Sequence, residues 1–185
     1  VSARLGEGRF LGTPAGREKG SLRPEDLLVV DEAGRVLEGE GRPSTETPMH
    51  LACYRKRPGV RGIVHAHPPV ATAFAASGAP LDAPVMPEIV LTVGPVPLVP
   101  YATPGTEELA RALEPWIEGH DAFLLASHGV LALGGDLREA LHRMERVEHL
   151  AKVTLAARLL GGPRPLSEAQ VVSLLASAAP GPPAG

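Results

Sequence analysis

Seven residues, Ile63-Val64-His65-Ala66-His67-Pro68-Pro69, constrain this chain more than any other stretch. The approach from Val60 to Val64 is apolar and β-branched, with an Arg57-Pro58-Gly59 turn before it and a proline pair after it. That pattern predicts a short buried strand running into a loop. Residues two apart on a strand project to the same side, so His65 and His67 can share one small volume. Two neutral imidazoles side by side suit a divalent ion such as zinc, but they equally suit a packed or hydrogen-bonded histidine pair. The choice turns on whether a third ligand and an acid/base stand elsewhere.

Two further residues qualify. Ala122 to Ala126 reads as another buried strand, delivering Ser127-His128-Gly129 at its end. A His-x-His pair with a later strand-terminal histidine is a three-ligand arrangement that leaves one zinc position open. Glu46 follows Pro43-Ser44-Thr45 and precedes Pro48, at the predicted start of a helix whose buried stripe would include Met49, Ala52 and Cys53. Read alone, Glu46 is a carboxylate complementing the helix dipole. As a neighbour of three histidines it is a fourth ligand or a base. Spacing by itself fits a zinc hydrolase as well as a lyase.

Composition narrows the remaining classes. The 185 residues suffice for one domain with a substantial core, here of Ala, Val and Leu because aromatics are 3% of the chain. A net charge of -3 without a basic stripe argues against a nucleic-acid partner. No apolar run reaches the roughly 20 residues of a membrane span. The lone Cys53 cannot form an internal disulfide, which suits the cytoplasm. Asn is absent, Gln170 is the one glutamine and 20 residues are Pro. That pattern fits a thermophile, and equally a GC-rich genome.

In chain order, strands are expected at Val1 to Leu5 and Arg9 to Gly12, around a Gly6-Glu7-Gly8 turn. Thr13-Pro14-Ala15-Gly16 is a loop able to turn a hydroxyl and backbone amides toward an anion. Leu27 to Val30 is a strand that hairpins toward Val36. A helix is predicted over Val70 to Ser77, strands over Ile89 to Val93 and Val96 to Val99, and a helix over about Glu107 to Glu118. Val130 to Leu133 continues as a strand. Asp136 caps the longest helix, with Leu137, Leu141, Met144, Ala151, Leu155 and Leu159 at helical spacing. His142 and His149 on that helix read as solvated or interface positions. A last helix spans Ser167 to Ala178, so the domain is expected over 1–178 and a disordered tail over 179–185.

Five ordered motifs carry a resemblance. Thr13-Pro14-Ala15-Gly16, Pro43-Ser44-Thr45-Glu46, His65-Ala66-His67-Pro68, Pro100-Tyr101-Ala102-Thr103 and His128-Gly129 resemble the class II aldolase/adducin head family, from Val1 to about Leu160. Fuculose-phosphate aldolase and ribulose-phosphate 4-epimerase are familiar members. The resemblance implies an α/β fold: a single three-layer α/β/α domain around a central, mainly antiparallel sheet. It implies a homotetramer with active sites at subunit interfaces. His65, His67, His128 and Glu46 would be the metal ligands, usually for zinc or another divalent transition metal. Glu46 would also be the catalytic acid/base. Thr13, Gly16, Ser44 and Thr45 would cradle the phosphate of a sugar phosphate at the helix N-terminus.

The implied activity is a zinc-dependent lyase, cleaving a phosphorylated ketose by a reversible retro-aldol step through a metal-stabilised enediolate. Epimerisation, dehydration and sugar-acid decarboxylation reuse that chemistry in the family, and adducin-like heads keep the fold as oligomerisation domains without metal. Retention of three histidines and Glu46 speaks for an enzyme. Departures also follow from the comparison of motifs. The family's N-terminal helix and Gly-Asn loop are expected upstream of Val1, Ala15 stands where relatives often have Ser, and Glu88 aligns with a tyrosine that serves as a proton donor.

Overall fold

A computed structural model describes residues 1–178 except Glu7; the predicted tail and the middle of the first predicted turn lie outside the described residues. Eight strands form one sheet in the order β4-β3-β2-β1-β5-β8-β7-β6. They are β1 (Ser2–Gly6), β2 (Arg9–Gly12), β3 (Leu28–Val30), β4 (Val36–Glu38), β5 (Gly62–Ala66), β6 (Leu98–Val99), β7 (Ala122–Leu125) and β8 (Gly129–Gly134). Every pairing is antiparallel except β6 with β7. Six helices flank the sheet: α1 (Thr47–Lys56), α2 (Pro69–Ser77), α3 (Pro87–Thr92), α4 (Glu107–Leu113), α5 (Leu137–Leu159) and α6 (Glu168–Ala178). The three-layer α/β/α architecture expected from the sequence is the one observed.

Side-chain alternation along the central strands builds two cores. Ile63, Phe123, Leu125, Leu131 and Leu133 face a cluster closed by α1 and α4. Val64, Ala122, Leu124, Val130 and Ala132 face the opposite cluster, closed by α2 and α5. A one-residue slip would exchange the faces, so burial on both sides fixes the register. Truncating Leu131, which is fully buried, to Ala would cost about 2–5 kcal/mol through the cavity left behind.

Close helix packing here needs glycine. A Cβ on Gly62 or Gly134 would run into the backbone at Asp136 and the first turn of α5. With those two positions bare, α5 lies directly on β5 and β8, the strands that position the histidines. Glu148 of α5 completes the clamp, accepting from the amides of Val70 at 3.1 Å and Ala71 at 2.8 Å. Its carboxylate thus caps α2, the helix that begins two residues after His67.

Three expectations need correction. Ile89 to Val93 is helical, not extended. Pro87 presets the first turn of α3, Ile89 and Val93 meet the core four residues apart, and the amide of Gly94 (φ +73°) closes the end on Ile89 O at 2.8 Å. The β-branched run reads the same in either state, and its packing decides. The strand expected over Val96 to Val99 shrinks to β6, with Val96 in an isolated bridge to Leu81. The helix expected to reach Glu118 ends at Leu113, because Pro115 cannot continue it. On α5 the buried stripe runs through Ala140, Met144, Val147, Leu150, Ala151 and Thr154, while Leu137, Leu141, Leu155 and Leu159 are exposed.

Candidate metal centre

β5 and the β7–β8 hairpin bring the three histidines together. His65 is the fourth residue of β5, paired across from Leu131, and His67 follows the strand end at Ala66. His128 sits in the hairpin after Ser127, whose φ of 55° lies in the left-handed region that non-glycine residues rarely enter. The Ser127 amide donates to Ala75 O at 3.1 Å and the His128 amide to Leu125 O at 3.0 Å. Those bonds hold the strained turn and aim His128 at the pair. Gly129 lies against the His67 ring, where a Cβ would overlap Cδ2.

The result is a compact triad. Ring centroids are 4.7 Å (His65–His128), 5.0 Å (His65–His67) and 5.1 Å (His67–His128) apart. One ligand nitrogen from each lies within 4.8 Å of the others. His65 Nδ1 donates to Val130 O at 2.9 Å. A carbonyl accepts only, so Nδ1 carries the proton and Nε2 keeps its lone pair. His128 Nδ1 is buried without a protein partner among the described residues.

Electrostatics favour neutral rings. Burial pulls the His65 pKa down to about 3, and neighbouring His128 adds to the effect. Burial also lowers His67 and His128, and His128 further lowers His67. A metal ligand must offer a lone pair, so three deprotonated imidazoles at neutral pH are what such a centre requires. The donor set, its convergence and the orphaned His128 Nδ1 together fit a divalent ion with nitrogen preference.

Glu46 stands beside the triad. It occupies the N-cap position of α1, yet its side chain makes no capping bond, and its Oε2 is buried without a partner among the described residues. Burial raises its pKa, while the charges of His67 and Lys19 oppose the rise. Its carboxylate falls outside the compact three-histidine group. Glu46 and His65 do line one cavity, together with Thr13, Ser44, Lys19 and His50.

The remaining expected residues divide. Thr13 and Ser44 line that cavity. The Pro14–Pro43 bridge and the bond from the Ala15 amide to Arg42 O at 2.9 Å hold their two loops together. The Ser44 hydroxyl accepts from the Glu46 amide at 3.3 Å. Thr45 is exposed in a neighbouring groove with Arg55, Gly105 and Glu107. Gly16 (φ +68°) is exposed and lines neither. Glu88 is exposed in a shallow groove with His142, Arg146 and His149, away from Glu46. Sequence reasoning missed Lys19 and His50. Lys19 sits in a charged loop stretch without a motif, and His50 is recognisable only by standing one helical turn beyond Glu46.

Comparison with known proteins agrees with this architecture. The sequence model of the Class II Aldolase and Adducin N-terminal domain matches residues 1–155. The chain is 39% identical over 158 residues to a 3-oxo-tetronate 4-phosphate decarboxylase of Escherichia coli O6:H1, covering 83% of this chain and 74% of that one. It is 35% identical over 163 residues to a 5-deoxy-D-ribulose 1-phosphate aldolase of Bacillus thuringiensis serovar kurstaki, covering 88% and 76%. Its structure superposes on an L-fuculose 1-phosphate aldolase with a TM-score of 0.88 and 34% identity, over 95% of this chain and 83% of the other. The protein belongs to the class II aldolase/adducin family. Those relatives are named for three different reactions or substrates, so membership alone does not choose among them.

Proposed function

We propose that the protein is a metal-dependent enzyme that cleaves a phosphorylated ketose by a reversible retro-aldol reaction. The observation that carries this reading is the convergence of three neutral imidazoles beside a cavity lined by Glu46, Thr13 and Ser44. His65, His67 and His128 would hold zinc or another divalent transition metal, with Glu46 as a further ligand. A divalent ion bound there supplies Lewis acidity to a substrate carbonyl oxygen and to the charge that develops as the adjoining C–C bond breaks.

The chain's own residues do the rest. Glu46, with a raised pKa and a free buried oxygen, takes and returns the substrate proton. Thr13 and Ser44 offer hydroxyls to the phosphate, and Lys19 sets a positive charge at the same cavity. Thr45 and Gly16 would join the phosphate seat only through a shift of their loops.

A second reading is decarboxylation of a phosphorylated 3-oxo sugar acid, favoured by the 39% identity to the E. coli decarboxylase. Both reactions break a C–C bond beside a carbonyl, so both need the same carbonyl polarisation. Sugar-phosphate epimerisation and dehydration stand behind these two. We read residues 1–178 as one domain of a homotetramer with active sites at subunit interfaces, working in the cytoplasm of a thermophile. The exposed Leu141, Leu155 and Leu159 along α5 support an interface. No nucleic-acid or membrane partner is proposed, and no helix among the described residues is long and apolar enough to span a bilayer.

Elemental analysis of the wild type and His65→Ala tests the metal. About one ion per chain, lost in a folded variant, is expected. Ketose 1-phosphates and 3-oxo acid phosphates would then be screened for aldehyde and carbon dioxide release. A wild type that neither carries nor takes up a divalent ion overturns the reading.

A further inference from the structure

The cavity shared by Glu46, His65 and Lys19 contains another ionisable side chain that the chemistry above leaves without a task. His50 lies one turn along α1 from Glu46, its amide donating to Glu46 O at 3.3 Å. It is 5% exposed and lines the cavity with Thr13, Ser44, Glu46 and His65. Its Nδ1 is 2.7 Å from Ser2 Oγ, which is in turn 2.9 Å from the Tyr54 hydroxyl. No bond to Nε2 is formed among the described residues.

Where the unpaired hydrogen falls along this chain of groups favours one tautomer. The Tyr54 side chain is buried, and its hydroxyl meets only Ser2 Oγ among the described residues. Suppose His50 Nδ1 donated to Ser2 and Ser2 to Tyr54. The buried Tyr54 proton would then have no acceptor. If both neighbours donated to Ser2, the Ser2 proton would be stranded instead. A third arrangement pairs both hydroxyl protons: Tyr54 donates to Ser2, Ser2 donates to His50 Nδ1, and the one hydrogen left unpaired stands on a ring that lines the cavity, where a ligand can meet it. That arrangement leaves the hydrogen of a neutral His50 on Nε2. Burial also holds the His50 pKa well below the usual histidine range, in keeping with a neutral ring.

We propose that His50 binds substrate, as a neutral imidazole fixed to donate its Nε2–H to an oxygen of the phosphorylated ligand in this cavity. Ser2 and Tyr54 are positioning residues that set its tautomer. The assignment rests on reading this cavity as the substrate pocket. It also divides the labour on α1: Glu46 exchanges a proton, whereas His50 only offers one. A fixed donor in a buried wall selects for an acceptor oxygen at that place and against a deoxy or amino analogue, which would leave the N–H unpaired.

The test is a long-range proton–nitrogen correlation spectrum of the full chain, metal-free and zinc-loaded, with the His50 signals identified by their loss in His50→Gln. Inorganic phosphate and dihydroxyacetone phosphate are the probes. The expected result is an Nε2–H tautomer around neutral pH, mixed tautomers in Ser2→Ala, and a saturable shift of the His50 Nε2–H with dihydroxyacetone phosphate. His50→Asn, which keeps an amide near Nδ1 only, should weaken that ligand by about 10-fold or more, whereas His50→Gln, with its amide near Nε2, should stay within a few-fold. An Nδ1–H tautomer overturns the assignment. So does a bound probe that leaves His50 unmoved, and in that case the pocket itself still stands. If neither probe binds while the tautomer is Nε2–H, the pocket reading fails and the donor role falls with it.

Discussion

His65 Nδ1 donates to the carbonyl oxygen of Val130 at 2.9 Å, across the pairing of β5 with β8. The acceptor is backbone in a fully buried strand, so turning the ring would leave the His65 Nδ1–H without its acceptor. That bond leaves Nε2 as the ring atom free to bind an ion. The neighbouring residue of the same strand, Gly129, has a matching effect on His67, whose ring it lets approach the β8 backbone. Two adjacent positions of one strand therefore orient two of the three imidazoles.

Gly129→Ala should expose this dependence. The added methyl would overlap the His67 ring and lie 2.7 Å from Ala66 O. The ring or the strand must move, at a cost of about 1–3 kcal/mol in stability. Metal affinity should fall by about 10–100-fold, the range found when ligand orientation is disturbed. Competition with a chromogenic chelator measures the affinity and thermal melting measures the fold. Unchanged affinity would mean that Gly129 has no part in placing His67.

The histidine cluster of the candidate site was legible because its members sit at or beside strand ends. The His-x-His spacing, the apolar run before His128 and the Ser-Thr-Glu helix entry each announce themselves locally, and the fold brings them together. What escaped depends on contacts distant in the chain. His50 has a role only through Ser2, 48 residues away, and Lys19 only through the cavity it faces. The outward leucines of α5 and the helix at Pro87–Thr92 escaped for another reason. Their patterns admit two structures, and the packing of the whole domain chooses between them.

On the proposed function, Glu46→Gln should separate metal binding from proton transfer. The amide keeps the shape but cannot exchange a proton, and the buried Oε2 makes no protein bond that the change would break. Turnover on the cognate sugar phosphate should fall by about 10²–10⁴-fold, with the three histidines still holding metal. Elemental analysis alongside steady-state kinetics reads both. Wild-type turnover in this variant would assign the proton to another group.

On the proposed function, Thr13, Ser44 and Thr45 should contribute unequally to phosphate binding, because the first two line the Glu46 cavity and Thr45 lines the adjacent groove. Thr13→Ala and Ser44→Ala should each raise KM for a phosphorylated substrate by about 10-fold, the loss of one hydrogen bond to a charged acceptor. Thr45→Ala, altered in the adjacent groove, should do less. Lys19→Ala should raise KM too and, by removing a charge that lowers the Glu46 pKa, shift the acid limb of the kcat profile to higher pH. Kinetics with phosphorylated and unphosphorylated versions of one sugar provide the measurement. Equal effects on both would remove the phosphate assignment.

Alkaline pH should destabilise the protein through two neighbours on α1. Burial pushes the Cys53 thiol from 9.0 up to about 12 and the Tyr54 hydroxyl from 10.0 up to about 12. The unfolded chain releases both protons near their ordinary values while the folded chain retains them. The unfolded state therefore binds fewer protons over this interval, and stability falls as pH rises. The contribution is whole below pH 9 and is lost progressively toward 12. Urea midpoints should drop across that window, and Cys53→Ala with Tyr54→Phe should flatten the decline even if the neutral-pH midpoint is lower. Native Cys53 should also resist alkylation at mildly alkaline pH, since the thiolate is the reactive form. Rapid alkylation of the folded protein, or an alkaline slope untouched by both substitutions, would show that the two protons are not held by burial in this core.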